Sequence, residues 1–109
     1  MDYSQLSDFE INKRVGIALG KELMPDDCQD FGLSGFPEVM LRNGDFKDYC
    51  NNPADTWPII ESNFIALHPL KHKSVWIAMS DDQEHTVRDE KPLRAAMIIF
   101  LMSKESFNA

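Results

Sequence analysis

Apolar and polar positions alternate along this chain with two different periods, and the first is helical. Ile11, Val15, Ala18 and Leu19 stand at i, i+4, i+7 and i+8, which places them on one face of a helix. Ser7 and Glu10 ahead of them form an S-x-x-E capping box. Leu6 is placed to staple onto Ile11, and Gly20 suits the C-terminal stop. Lys13, Arg14 and Lys21 lie toward the negative end of that helix dipole. A short apolar run over 38–42 is followed by Asn43-Gly44, a dipeptide that tolerates positive φ at both positions, so a hairpin with 45–49 as its second strand is expected.

The segment Cys50-Asn51-Asn52-Pro53-Ala54-Asp55-Thr56-Trp57-Pro58-Ile59-Ile60 opens a second helix. Asn52 reads as its N-cap, Pro53 as its first residue, and Asp55 faces the positive end of the dipole. Pro58 within it removes the donor that the carbonyl of Ala54 would use. Residues 64–68 and 74–79 are rich in aromatic and β-branched side chains and read as two further strands. Pro92 opens a last helix with Leu93, Ala96, Met97, Phe100 and Leu101 on one face. Ile98, Ile99 and Met102 extend the apolar surface around it, which suits either a central position in the fold or a homodimer interface. Residues 25–37 carry too much proline and glycine for a regular element and are expected to be pinned by Phe31, Leu33 and Phe36. The order α-ββ-α-ββ-α predicts a small α+β domain with a four-stranded, mainly antiparallel sheet covered on one face by three helices.

A chain of 109 residues that is 43% apolar suits one domain, 1–109. No apolar run approaches the roughly twenty residues that span a bilayer, and the acidic, polar opening differs from a basic and then hydrophobic export signal. A place in the cytosol and reduced Cys28 and Cys50 follow as expectations. Eighteen acids against eleven bases give a formal charge of −7, which argues against direct binding to nucleic acid. The acids concentrate in 26–55 and again in 81–90, where Asp81, Asp82, Glu84, Asp89 and Glu90 make either a solvated loop or an acidic docking face.

Little in the sequence points to catalysis. His68 and His72 have a metal-ligand spacing only on a helix, and Pro69 opposes one there. His85 beside Glu84 suits a surface role. Cys50 precedes a helix start but has no histidine near it in sequence. Phosphate-loop, nucleophile-elbow, CxxC and EF-hand patterns are absent from the sequence, and no cofactor or metal is expected. The candidate ligand-binding group is Asn51, Asn52, Asp55 and Trp57 at the second helix entrance. The same residues fit a scaffold in which the asparagines cap, Asp55 completes the first turn and Trp57 joins Ile59 and Ile60 in the core.

Three stretches carry a family resemblance: the opening Met-Asp-Tyr-Ser-Gln-Leu-Ser-Asp-Phe-Glu-Ile-Asn-Lys, the central Cys-Asn-Asn-Pro-Ala-Asp-Thr-Trp-Pro-Ile-Ile-Glu, and the closing Pro-Leu-Arg-Ala-Ala-Met-Ile-Ile-Phe-Leu-Met. In this order they resemble the NinX-like proteins of lambdoid phages and prophages. The family pattern has Ala where Thr56 stands and Asn where Lys91 stands; losing that Asn is expected to weaken the last helix cap by about 1 kcal/mol. The resemblance implies a phage accessory protein and transfers no catalytic residue. The expected function is therefore non-enzymatic binding of a host or phage protein through the acidic loops or the Trp57 surface. An acidic DNA mimic that blocks a nucleic-acid-binding protein is one alternative. A small-molecule-binding protein or enzyme centred on the segment from Asn51 to Trp57 is another.

Overall fold

The computed structural model describes residues 2–29 and 36–108, with side chains as far as Glu105. Three helices, α1 (Asp8–Ala18), α2 (Pro53–Ser62) and α3 (Pro92–Asn108), combine with five strands. These are β1 (Val39–Met40), β2 (Phe46–Lys47), β3 (Ala66–Leu70), β4 (Val75–Met79) and β5 (Thr86–Asp89). The α+β class holds. The single four-stranded sheet does not: β1-β2 form one small antiparallel pair and β3-β4-β5 a separate antiparallel sheet. The predicted second strand over 45–49 stops after Lys47. There the backbone N–H of Asp48 donates to the Asp55 carboxylate at 3.0 Å instead of continuing a ladder.

The expected turn chemistry is otherwise in place, except that Gly44 alone of the Asn43-Gly44 pair takes a positive φ, in a turn closed by the Gly44 N–H on the Leu41 carbonyl at 2.9 Å. Ser7 Oγ accepts from the Glu10 N–H at 3.1 Å, Asn52 Oδ1 accepts from the Ala54 N–H at 3.0 Å, and Gly20 and Gly44 take φ of +79° and +93°. Pro58 sits on the exposed side of α2 next to exposed Ala54, so water can reach the carbonyl it leaves without a donor. Phe64 is left-handed (φ 52°) and closes α2 as the Ile65 N–H donates to the Ile60 carbonyl at 3.1 Å. That turn explains why β3 begins at Ala66 rather than at 64.

β5 was missing from the predicted elements because Thr86-Val87-Arg88-Asp89 is embedded in an acidic run. Ser80 and Asp82 build the turn that makes the strand fold back. The Ser80 N–H donates to the His85 carbonyl at 3.1 Å, and Asp82 Oδ1 accepts from Ser80 Oγ at 2.7 Å and from the Glu84 N–H at 3.0 Å. Of the anchors expected for 25–37, Phe31 and Leu33 lie outside the described residues and Phe36 is 57% exposed. Gln29 does the anchoring that was assigned to Phe36. Its amide donates to the Met24 and Met40 carbonyls at 3.0 and 2.8 Å and accepts from the Met40 N–H at 2.8 Å.

α3 runs through the centre. All residues from Ala95 to Phe100 are buried within the one chain, against α1, α2 and the three-stranded sheet, so its broad apolar circumference is covered internally. Removing a large side chain from this helix is expected to be severe. Phe100→Ala should lower stability by about 3–5 kcal/mol, read as a fall in the urea midpoint with the slope of the transition unchanged.

Candidate functional site

The second-helix entrance lies at the meeting point of all three helix beginnings. Asp8, in the first turn of α1, accepts from Arg94 Nη1 at 2.6 Å through one oxygen. Its other oxygen takes the Lys91 ammonium and the Asn51 amide, the latter at 3.1 Å. Asn51 also donates to both Asp48 oxygens at 3.1 Å and accepts from Lys91 Nζ at 2.9 Å. Arg94 is buried among otherwise apolar α3 residues and is fully engaged. Its Nε donates to Asp89 at 3.0 Å and its Nη2 to the Ser4 and Leu6 carbonyls at 3.3 and 2.7 Å.

A second layer lies beneath. Asn12 is completely buried on the apolar stripe of α1. It donates to the Pro37 carbonyl at 2.8 Å and to Asp48 Oδ1 at 3.0 Å, and accepts from the Cys50 N–H at 3.1 Å. Thr56 is equally buried, its hydroxyl shared between the Tyr49 and Asn52 carbonyls at 2.6 and 2.9 Å. Asn12, Asp48, Thr56 and Arg94 were absent from the sequence-derived site. A polar residue inside an apolar helical stripe, as at Asn12 and Arg94, is the signal that could have found them.

The four residues proposed to bind a ligand do not converge. Asn51 faces Asp8 and Lys91, Asn52 is occupied as a cap, and Asp55 accepts from the Asp48 N–H and pairs with Lys47 at 3.5 Å. Trp57, two residues beyond Asp55 and so on a different side of α2, is 55% exposed; the expectation that it fills the core fails, while Ile59 and Ile60 are buried as expected. Phe64, just past the end of the helix, is 74% exposed. A cleft of about 320 Å³ between the end of α1 and α2 does reach this region, lined by Leu19, Lys21, Lys47, Tyr49, Asp55 and Pro58 among others. Of the proposed group it includes Asp55 alone. The buried Tyr49 hydroxyl nearby has no hydrogen-bond partner among the described residues, and burial together with the Asp55 charge pushes its pKa up to about 12.

The five acids proposed for partner binding fall into two sets. Asp81, Asp82 and Glu84 occupy the β4-β5 turn, and Asp89 and Glu90 lie at the far end of β5. Asp82 builds the turn. Asp89 accepts from the Lys91 N–H at 2.8 Å and from Arg94. Asp81, Glu84 and Glu90 are exposed.

A family model described as Bacteriophage P22, NinX matches residues 2–104. The chain belongs to the NinX family. Comparison with curated proteins and with solved structures gave no match. The two departures from the family pattern noted in this NinX chain both have a structural place. Lys91 joins Asp8 and Asn51, while Asp89 rather than residue 91 supplies a carboxylate to the backbone before α3. The Thr56 hydroxyl ties Tyr49 to the first turn of α2.

The electrostatics follow from these partners. Burial alone would raise the Asp8 carboxyl, but hydrogen bonds from Lys91, Asn51 and Arg94 outweigh it and hold it below the ordinary value of 3.8. Cys50 goes the other way: burial, reinforced by the Asp8 charge, pushes its thiol up to about 12, so it is protonated and unreactive at neutral pH. Cys28 is exposed and both thiols are free.

Two outcomes are expected. Iodoacetamide should label the folded protein at Cys28 alone, and Cys28→Ser should abolish labelling until denaturant exposes Cys50. Asp8→Asn should lower stability at pH 7 by about 2–4 kcal/mol, because buried Arg94 loses one of its two counter-charges and keeps only Asp89. A carboxyl with a depressed folded pKa stabilises above its unfolded value and loses that effect as pH falls through the folded value. The gap between wild type and Asp8→Asn in urea melts should therefore be full at pH 6 and should close progressively below pH 3.8.

Proposed function

We propose that this NinX protein acts by occupancy, binding a host or phage protein rather than turning over a substrate. The observation that carries this reading is the exposure of Trp57 on a helix whose polar entrance is wholly committed to internal hydrogen bonds. A tryptophan left half in water on a rigid helix presents a large apolar ring with one N–H at its edge, the composition that dominates protein contact sites. The polar groups that an enzyme would use are engaged elsewhere: Asn51, Asn52, Asp55 and Asp8 hold one another and the backbone, and Cys50 lacks nucleophilic character. Family membership supports a phage accessory protein. Acting in the cytoplasm of the host belongs to the same proposal, and no helix among the described residues is long and apolar enough to cross a membrane.

The acidic-mimic alternative needs two rows of carboxylates on one face. Asp82 and Asp89 are drawn into turn and helix-start contacts at opposite ends of β5, which favours the Trp57 surface over it. Site-specific photo-crosslinking in infected cells tests the proposal. A benzophenone residue replacing Trp57 should yield one discrete crosslinked protein, and the same group at exposed Gln83 should not yield it. Trp57→Ala should weaken recovery of that protein by a factor of about ten or more, as loss of a central aromatic contact costs upward of 1–2 kcal/mol. Equal crosslinking at both positions, or none at Trp57, would overturn the reading.

A further inference from the structure

Among the described residues, the three-stranded sheet is covered on one side only. Its register places Leu67, Ala78 and Val87 in one row, and these pack into the core beneath α3. The alternate rows, Ala66 with Met79 and Thr86, His68 with Ile77 and Arg88, and Leu70 with Val75, therefore point away from it. Val75, Ile77 and Met79 form a partly exposed aliphatic stripe along the central strand. His68 and Arg88 flank the stripe, and Lys71 and Lys73 stand in the turn at one end.

Charge on this face is opposite to that of the protein. The chain carries −7, yet residues 62–80 contain no Asp or Glu and none stands in the paired outward rows, the exposed Glu90 following β5 at the end that holds the turn lysines. Lys13, Arg42, Lys47, Lys91 and Arg94 are each paired with a carboxylate. Lys71, Lys73 and Arg88 form no ion pair among the described residues, nor do Arg14 and Lys21 at α1, but only the first three gather at one face. Unneutralised cations around an aliphatic stripe, on a molecule with acid to spare elsewhere, are complementary to an acidic occupant.

We propose that this uncovered sheet face docks an acidic polypeptide segment carrying aliphatic anchors, with the anchors on Val75, Ile77 and Met79 and the carboxylates at Arg88, Lys71 and Lys73. Three strands about 4.8 Å apart, two of five residues and β5 of four, give a patch of roughly 14 by 14–17 Å, which suits one short helix or strand rather than a globular surface. A second copy of the chain is a poor occupant, because it would bring a second set of cations, Arg88 and the turn lysines, to the same contact. A nucleic acid is equally ill matched, since the stripe is aliphatic with His68 its one aromatic neighbour in the outward rows, and the molecule as a whole repels phosphate. This surface is separate from Trp57 and stands or falls independently of the occupancy reading drawn from it.

The test is an amide-shift titration of the full chain with three probes. One is a 14-residue peptide alternating Glu or Asp with Leu and Ile. The second is the same peptide with Lys in place of the acids, and the third is a 14-nucleotide oligothymidylate. The acidic peptide should shift the amides of residues 75–79 and 86–89 saturably and leave residues 53–62 unmoved. Ile77→Glu, and separately the combined Lys71→Glu, Lys73→Glu and Arg88→Glu, should each weaken it about tenfold or more. Far-ultraviolet circular dichroism and the urea midpoint check that each variant is folded. Absence of saturable shifts with the acidic peptide would overturn the proposal, as would equal binding of the Lys peptide or tighter binding of the oligothymidylate. Concentration-dependent dimerisation lost in Ile77→Glu would also overturn it, in favour of a second copy of the chain.

Discussion

The structure depends on the carboxylate of Asp8. It draws together three chain segments that have no covalent reason to meet: the start of α1, the turn at Asn51 ahead of α2, and the start of α3 with Lys91 and Arg94. Three helix N-termini so close together would bring three positive dipole ends into one place. The carboxylates of Asp8, Asp48, Asp55 and Asp89 at this junction offset those ends as well as the two cations. Charge-assisted hydrogen bonds to each oxygen fix direction as well as proximity, which the apolar core by itself does not.

From that junction the remaining geometry follows. With α3 fixed at its first turn, its buried middle can serve as the floor for α1, α2 and the three-stranded sheet together. With the polar start of α2 committed to the junction and Ile59 and Ile60 turned inward, the helix has one side left for solvent, and Trp57 is on it. The three-stranded sheet, packed beneath by α3, keeps its outer face uncovered. Two surfaces of different character thus remain for contact, one aromatic on a helix and one aliphatic and basic on a sheet.

Much of this arrangement was legible in local chemistry. The Ser7 and Asn52 caps, the Asn43-Gly44 turn, the stop at Gly20 and the proline-led starts of α2 and α3 are each decided by neighbours within a few residues, and each is where the pattern predicts. The failures are non-local. β5 is hidden by its charges because Asp89 serves Arg94 and the α3 start rather than solvent. The end of β2 at Lys47 depends on Asp55 reaching back seven residues to the Asp48 N–H. Trp57 reads as core from composition, since tryptophan usually buries, and only the position of Ile59 and Ile60 on the same short helix decides that it faces out. The Asn52 cap is where the pattern predicts, but the partners of the neighbouring Asn51 amide, Asp8 and Lys91, lie 43 and 40 positions away. No spacing rule connects such distances.

The most direct measurement is the urea stability of Asn51→Ala against wild type at pH 7, because this amide joins Asp8, Asp48 and Lys91 and is also the first residue of the alternative ligand site. If the junction is the scaffold described, the substitution should lower stability by about 1–2 kcal/mol, the range for hydrogen bonds to charged groups at a partly exposed position. A change below about 0.3 kcal/mol would mean that Asn51 is not part of the framework, and would contradict the account.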